Sequence, residues 1–248
     1  MAMTPEQRRA WAALGLGPVW LAREPRETRP AAEPGCAPPA DDSRLVAEPG
    51  SHDPSSLDWE GLRVAVQACT RCGLCRTRRQ TVFGVGPTSV RWLIVGEAPG
   101  AEEDARGEPF VGQAGRLLDA MLAALGMERG RDVFITNVLK CRPPGNRNPE
   151  PEEVARCIPF LQRQLELLAP AGILVMGRFA AQALLGSDAS IASLRGRVHA
   201  CRVGDRSIPA VVTYHPAYLL RNLPDKRKAW VDLCLARERL GFGAAVAP

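Results

Sequence analysis

Of the eight cysteines in this 248-residue chain, four have the spacing of ligands: Cys69 and Cys72 as C-x-x-C, then Cys141 and Cys157 around a loop rich in Pro and Asn. Thiolates in fours bind an iron–sulfur cluster or zinc, and in a secreted chain the same residues form disulfides instead. Met1 to Trp20 is broken by Pro5, Arg8, Arg9 and Pro18, with no charged segment leading into an apolar run. No stretch approaches the roughly 20 apolar residues that a membrane span needs. The chain therefore reads as cytoplasmic, without a membrane partner, where thiols stay reduced and available to a metal. Cys36, Cys201 and Cys234 stand alone, whereas Cys75 makes a second C-x-x-C that overlaps the first.

A second set of residues has the chemistry of a site for a small polar ring. Glu97, Asn137 and His215 each follow or end a run of apolar residues with strand character: Val90 to Val95, Asp132 to Asn137 and Pro209 to Thr213. Gly172 to Met176 reads as a fourth strand, followed by Arg178. Helical patterns cover Trp59 to Ala68, Gly115 to Leu125, Pro151 to Leu168, a segment ending at Leu185 and Asp225 to about Arg239. Strands alternating with helices predict a three-layer α/β/α sandwich around a central, mainly parallel four-stranded sheet, with a cluster-binding loop region beside it. Val198 to Val203 is a candidate addition at the sheet edge. Ligands of such sheets sit beyond the carboxyl ends of the strands, so Glu97, Asn137 and His215 are expected to converge there.

Ahead of this domain the composition changes. Glu24 to Asp58 is loaded with Pro, Ala, Asp and Ser, too polar to offset the entropy of ordering it. Residues 23–58 are read as a linker, 1–22 as a short helical peptide, 59–242 as the folded domain and 243–248 as a tail. Residues 1–58 carry six Arg against nine acidic residues, so the overall charge of +5 conceals a more basic folded part. Nearly all of that excess is Arg, since Lys occurs only at 140, 226 and 228. The planar guanidinium fork suits phosphate, which makes a polyanion a plausible partner.

Several motifs interleave with the four cysteines. Gly96-Glu-Ala-Pro-Gly100, Pro109-Phe-Val-Gly112, Thr136-Asn137 with Lys140-Cys-Arg-Pro-Pro144, and His215-Pro-Ala-Tyr-Leu-Leu-Arg221 follow one another in order. Together they resemble the family 4 uracil-DNA glycosylases, the iron–sulfur branch of that superfamily, over roughly Ala65 to Arg239. The resemblance implies a [4Fe–4S] cluster on Cys69, Cys72, Cys141 and Cys157, with Cys75 a bystander. It implies a DNA repair enzyme that flips uracil out of DNA and hydrolyses its N-glycosidic bond, acting as a monomer on uracil-containing DNA.

Residue by residue, Phe110 resembles the aromatic on which uracil stacks. Asn137 resembles the amide that pairs with O4 and N3–H, an edge whose two groups are reversed in cytosine. Glu103 falls where the family places a carboxylate near the pocket. His215 resembles the residue that hydrogen-bonds uracil O2 and supports the departing anion, and Glu97 is placed to orient water and favour the oxocarbenium ion. The better-known branch has an Asp just after the Glu97 position; here Ala98 stands in the pocket, leaving water activation to Glu97 or to substrate electrostatics. Leu219 or Leu220 is the expected minor-groove wedge and Arg221 a phosphate contact. The loop with Arg142, Asn146 and Arg147, held at both ends by cysteines, is expected to be stiffened against DNA. Some relatives trap uracil-DNA covalently through a histidine on a loop after the second strand. Arg142 to Arg156 has no His, which favours turnover. A non-catalytic iron–sulfur scaffold is the more distant alternative. Residues 1–20 faintly resemble the N-terminal peptide of a clamp-loader accessory subunit, which implies a replication or repair protein as partner.

Overall fold

A computed structural model describes residues 53–242. The expected helical peptide, most of the linker and the tail at 243–248 lie outside the described residues. The sheet holds five strands rather than the four expected: β1 (Trp92–Gly96), β2 (Val133–Asn137), β3 (Gly172–Met176), β4 (Val198–Val203) and β5 (Arg206–Thr213), in the order β2-β1-β3-β5-β4. The additional strand is the edge candidate. It pairs antiparallel with β5, while the other pairings are parallel. A two-residue connection, Gly204 with φ 55° and Asp205, makes this hairpin, and only an antiparallel partner can follow so short a turn.

The helices are α1 (Trp59–Gln67), α2 (Ala101–Arg106), α3 (Gln113–Ala124), α4 (Pro151–Leu168), α5 (Arg178–Leu185), α6 (Ile191–Leu194), α7 (Pro216–Arg221) and α8 (Lys226–Leu240). β1, β2 and β3 are buried along their whole length, as strands covered on both faces must be. Successive side chains divide between the two faces. Trp92, Ile94, Val133, Ile135, Leu174 and Met176 pack with Leu118 and Leu122 of α3 and Leu233 and Ala236 of α8. Leu93, Val95, Phe134, Ile173 and Val175 pack with Leu161 and Leu165 of α4 and Ala180 and Ala181 of α5. The three-layer sandwich follows from this alternation. Among the described residues no helix is long and apolar enough to cross a membrane.

A smaller layer is attached beyond α4. α1 is capped by Asp58, whose carboxylate accepts from the Gly61 N–H at 2.8 Å. Its Leu62 and Val66 pack on Phe160 of α4, with Cys69 and Cys157 at the margin. Next to it, Leu74, Leu139 and Cys141 form another apolar group, against which Cys72 and Cys157 pack.

Candidate functional site

Each of the four parallel strands delivers a polar residue at its carboxyl end. Glu97 follows β1, Asn137 ends β2, Arg178 follows β3 across Gly177, and His215 follows β5. Glu97, Asn137 and His215 do converge, lining one cleft of about 340 Å³ with Ala98, Phe110 and Arg221. That volume is in the range of roughly 300–1,000 Å³ typical of small-molecule sites.

The floor of the cleft is the Asn137 side chain. The residue is buried, and its Oδ1 is a buried acceptor without a hydrogen-bond partner among the described residues. An orphan of this kind costs about 1–3 kcal/mol unless a ligand supplies the donor. Gly96 keeps the space open, because a Cβ there would lie 2.4 Å from Asn137 Oδ1 and 2.6 Å from Phe110 Cζ. Behind Asn137, the buried Lys140 donates from Nζ to the Asn137 carbonyl at 2.8 Å, to Thr136 Oγ1 at 2.6 Å and to Gln164 Oε1 at 2.6 Å. Thr136 Oγ1 and Gln164 Nε2 in turn both donate to the Phe83 carbonyl, at 2.8 and 3.0 Å.

The wall of the cleft is aromatic. Phe110 is buried and stacks on the His215 imidazole, with ring centroids 5.3 Å apart and planes inclined by 27°. Its φ of 56° is left-handed, a conformation that costs a non-glycine residue on the order of 1–3 kcal/mol. Glu103 lines the cleft too, but its carboxylate is turned to the backbone. It accepts from Gly100 N–H at 3.0 Å, Val111 N–H at 3.2 Å and Gly112 N–H at 3.4 Å. It therefore stands at the pocket, as the resemblance implied, and braces the two loops.

Two titratable groups in the cleft are shifted in opposite directions. Burial pushes the Glu97 carboxyl up to about 7, against the pull of the nearby Arg178 guanidinium. Burial takes the His215 imidazole down to about 4, assisted by the Arg221 charge, so the ring is neutral at physiological pH. His215 caps α7 by accepting the Ala217 N–H at Nδ1, at 3.1 Å. With Nδ1 an acceptor, the proton of the neutral ring resides on Nε2, which makes that nitrogen a donor.

The residues expected to touch DNA are distributed unequally. Arg221 is exposed on the rim. The apolar segment after His215 is the short helix α7, and it separates the two candidate wedges. Leu219 is 1% exposed, in the core against α3, whereas Leu220 is 37% exposed. This corrects the reading of Leu219 as a wedge, because adjacent helical residues point about 100° apart and only one of the pair can face outward. Asn146 and Arg147 line the cleft. Arg142 lies outside the lining and donates from Nε to Asn146 Oδ1 at 2.7 Å. Arg147 forks onto Glu153 at 2.9 and 2.6 Å, and Glu153 accepts the Glu150 N–H in the capping box of α4. The loop is thus tied to the helix that carries Cys157.

Cys69, Cys72, Cys141 and Cys157 line a single cavity, with Cys75 on the same wall and Val66, Leu74, Leu139 and Phe160 as its apolar sides. Among the described residues no three His, Cys, Asp or Glu side chains gather as a site for one metal ion. Two N–H groups are aimed at sulfur: Arg78 Nη1 donates to Cys141 Sγ at 3.1 Å and the Lys140 main-chain N–H to Cys157 Sγ at 3.3 Å. Burial pushes the Cys157 thiol up to about 12 and raises Cys141 and Cys72 as well. Enclosed thiols with N–H donors on their sulfurs are the donor set that a thiolate-bound iron–sulfur group requires.

Sequence reading missed Arg178 beside Glu97, the Lys140–Gln164 hub and the brace formed by Glu103. A buried Lys three residues after Asn137 was the only one with a local signal, since lysine is almost never fully buried without partners.

Comparison with known proteins agrees with this geometry. Residues 83–237 match the family model described as the uracil DNA glycosylase superfamily. The chain is 45% identical over 159 residues to the type-4 uracil-DNA glycosylase of Archaeoglobus fulgidus, covering 62% of this chain and 79% of that protein. It is 46% identical over 158 residues to the type-4 enzyme of Thermotoga maritima, covering 63% and 80%. A type-5 uracil-DNA glycosylase of Pyrobaculum aerophilum is 32% identical over 149 residues, covering 54% and 64%.

Proposed function

Since the chain belongs to the uracil DNA glycosylase superfamily, we propose how its cleft recognises uracil and releases it. The protein is a uracil-DNA glycosylase of DNA repair, a hydrolase that binds uracil-containing DNA. The observation that carries the mechanism is the buried, unpartnered Oδ1 of Asn137. It accepts N3–H of a flipped uracil while Nδ2 donates to O4. Cytosine has an acceptor at N3 and a donor at C4, so both contacts fail with it. A site built to hydrogen-bond one edge rejects the other strongly.

With its edge held by Asn137, the base stacks on Phe110. Bond cleavage moves negative charge onto uracil and positive charge onto the deoxyribose. The Nε2–H of neutral His215 donates to O2 of the departing uracil, stabilising the anion through a hydrogen bond while the ring keeps its remaining, tightly held proton. Glu97 acts as the carboxylate that orients water and favours the oxocarbenium ion. Ala98, the next residue, supplies no side-chain acid to share this task. Leu220 fills the space that the base vacates, and Arg221 binds a phosphate. The protein is taken to act as a monomer, in the cytoplasm where thiols remain reduced.

We further propose that Cys69, Cys72, Cys141 and Cys157 hold a [4Fe–4S] cluster. Bound there, it supplies a cross-link between the α1 region, the β2 loop and α4, and takes no part in the chemistry. Arg78 and the Lys140 N–H bond its sulfur ligands.

The decisive experiment is incubation with DNA containing one uracil, followed by alkali to cut abasic sites. Strand cleavage and free uracil are expected. A band shift that survives SDS, without cleavage, would sink turnover in favour of covalent trapping, and neither product would favour a scaffold.

A further inference from the structure

Phe110 has no local reason to hold its conformation. Its φ of 56° places Cβ in the crowding that makes the left-handed region unfavourable to L-residues. Two charged side chains from other elements grip the segment instead. Arg129, in the turn between α3 and β2, donates from Nη1 to the Pro109 carbonyl at 2.8 Å and from Nη2 to the Phe110 carbonyl at 2.7 Å. Its Nε donates to Asp119 Oδ1 of α3 at 2.8 Å, so both edges of the guanidinium are in use. On the following peptides, Glu103 accepts the Val111 and Gly112 N–H groups. Successive carbonyls face a cation and successive amides face an anion, an arrangement that fixes the direction of the peptide dipoles. Gly115 leaves room for it, because a Cβ there would lie 1.7 Å from the Phe110 carbonyl oxygen.

We propose that Arg129, seated on Asp119, is a positioning residue for the reaction: its fork on two consecutive carbonyls keeps Phe110 in the left-handed conformation that offers its ring to the flipped base. The role rests on the reading of Phe110 as the stacking platform. Arg129 itself does not line the cleft. Lysine cannot take its place, being a point donor with no fork.

The test is steady-state cleavage of a duplex carrying one uracil by Arg129→Met, Arg129→Lys, Phe110→Ala and the double variant Arg129→Met with Phe110→Ala. Arg129→Met should raise KM about tenfold with kcat changed much less, since stacking holds the base before as well as during cleavage. In the Phe110→Ala background the same substitution should change KM by less than about twofold, because no ring is left to place. Arg129→Lys keeps the charge near Asp119 and should still show the KM defect. Added guanidinium ion should restore Arg129→Gly. If Phe110→Ala leaves KM unchanged, the stacking role of Phe110 fails, and with it the basis for Arg129. If Phe110→Ala is impaired while Arg129→Met matches the parent, or the Arg129 effect persists undiminished without the ring, the positioning role is overturned and the Phe110 reading stands. A reduced salt dependence of DNA binding in Arg129→Met would make Arg129 a phosphate contact and also overturn it. Should Arg129→Met fail to fold, Arg129→Lys and its double variant with Phe110→Ala decide the same question.

Discussion

Lys140 donates from Nζ to the main-chain carbonyl of Asn137 at 2.8 Å, while its own N–H is bonded to Cys157 Sγ. One residue therefore links the residue proposed to read the base to a proposed cluster ligand. Lys140→Met would leave the Asn137 carbonyl, Thr136 Oγ1 and Gln164 Oε1 without their shared donor in a fully buried place. We expect a loss on the order of 3 kcal/mol in stability, read by urea unfolding of the purified protein. An unchanged midpoint would mean that the hub is dispensable.

The pH profile of cleavage should report Glu97. Its carboxyl titrates at about 7 and is needed as the carboxylate, so kcat/KM should climb as pH rises through that value. His215 is neutral on both sides of this range, its own titration lying at about 4. Arg178 pulls Glu97 down, so Arg178→Gln should move the limb to higher pH, and Glu97→Gln should abolish it. A limb that survives in Glu97→Gln would assign the titration elsewhere.

Gly96→Ala tests the slot directly. Gly96 needs no left-handed backbone, so the substitution acts through its Cβ alone, which would lie 2.4 Å from Asn137 Oδ1. About a 100-fold loss of kcat/KM is expected, the size of effect that one carbon too many produces in a shaped pocket, with helix and sheet content by circular dichroism intact. Near-normal activity would show that the base does not enter there.

Leu219 and Leu220 should separate cleanly despite being neighbours. Leu219→Ala empties a core position and should cost about 2–5 kcal/mol in denaturant unfolding. Leu220→Ala should leave stability within about 0.5 kcal/mol and slow cleavage of duplex DNA more than of single strands. Equal effects on both substrates would remove Leu220 from the minor groove.

Cys141→Ser addresses the cluster. It should lower iron content and visible absorbance and weaken DNA binding, because the loop carrying Asn146 and Arg147 loses an anchor at its start. Full cluster content together with full DNA affinity would refute the organising role.

The site was more legible in the sequence than its supports. Glu97, Asn137 and His215 could be placed because a parallel sheet brings the ends of its strands together, and each apolar run announces its own end. Leu219 and Leu220 could not be told apart, since the choice depends on how α7 rotates against α3. β4 was weakly marked because only part of it is buried, with Val198 39% exposed. Arg129 and Gln164 had no signal, as their partners lie 19 and 81 residues away, at Phe110 and Phe83. Phe110 itself was identified from its motif, but its strained backbone is a property of tertiary contacts alone.

The strand order has a consequence for synthesis. β5, which brings His215 to the cleft, is the last of the five strands to leave the ribosome, and α7 with Leu220 follows it. A chain arrested after β3 already contains Asn137 and Glu97 but has neither the His215 imidazole nor the proposed wedge Leu220. On the proposed roles, a chain terminated before β5 would lack the group that supports the departing base, and abasic lesions would be made only once β5 and α7 are in place.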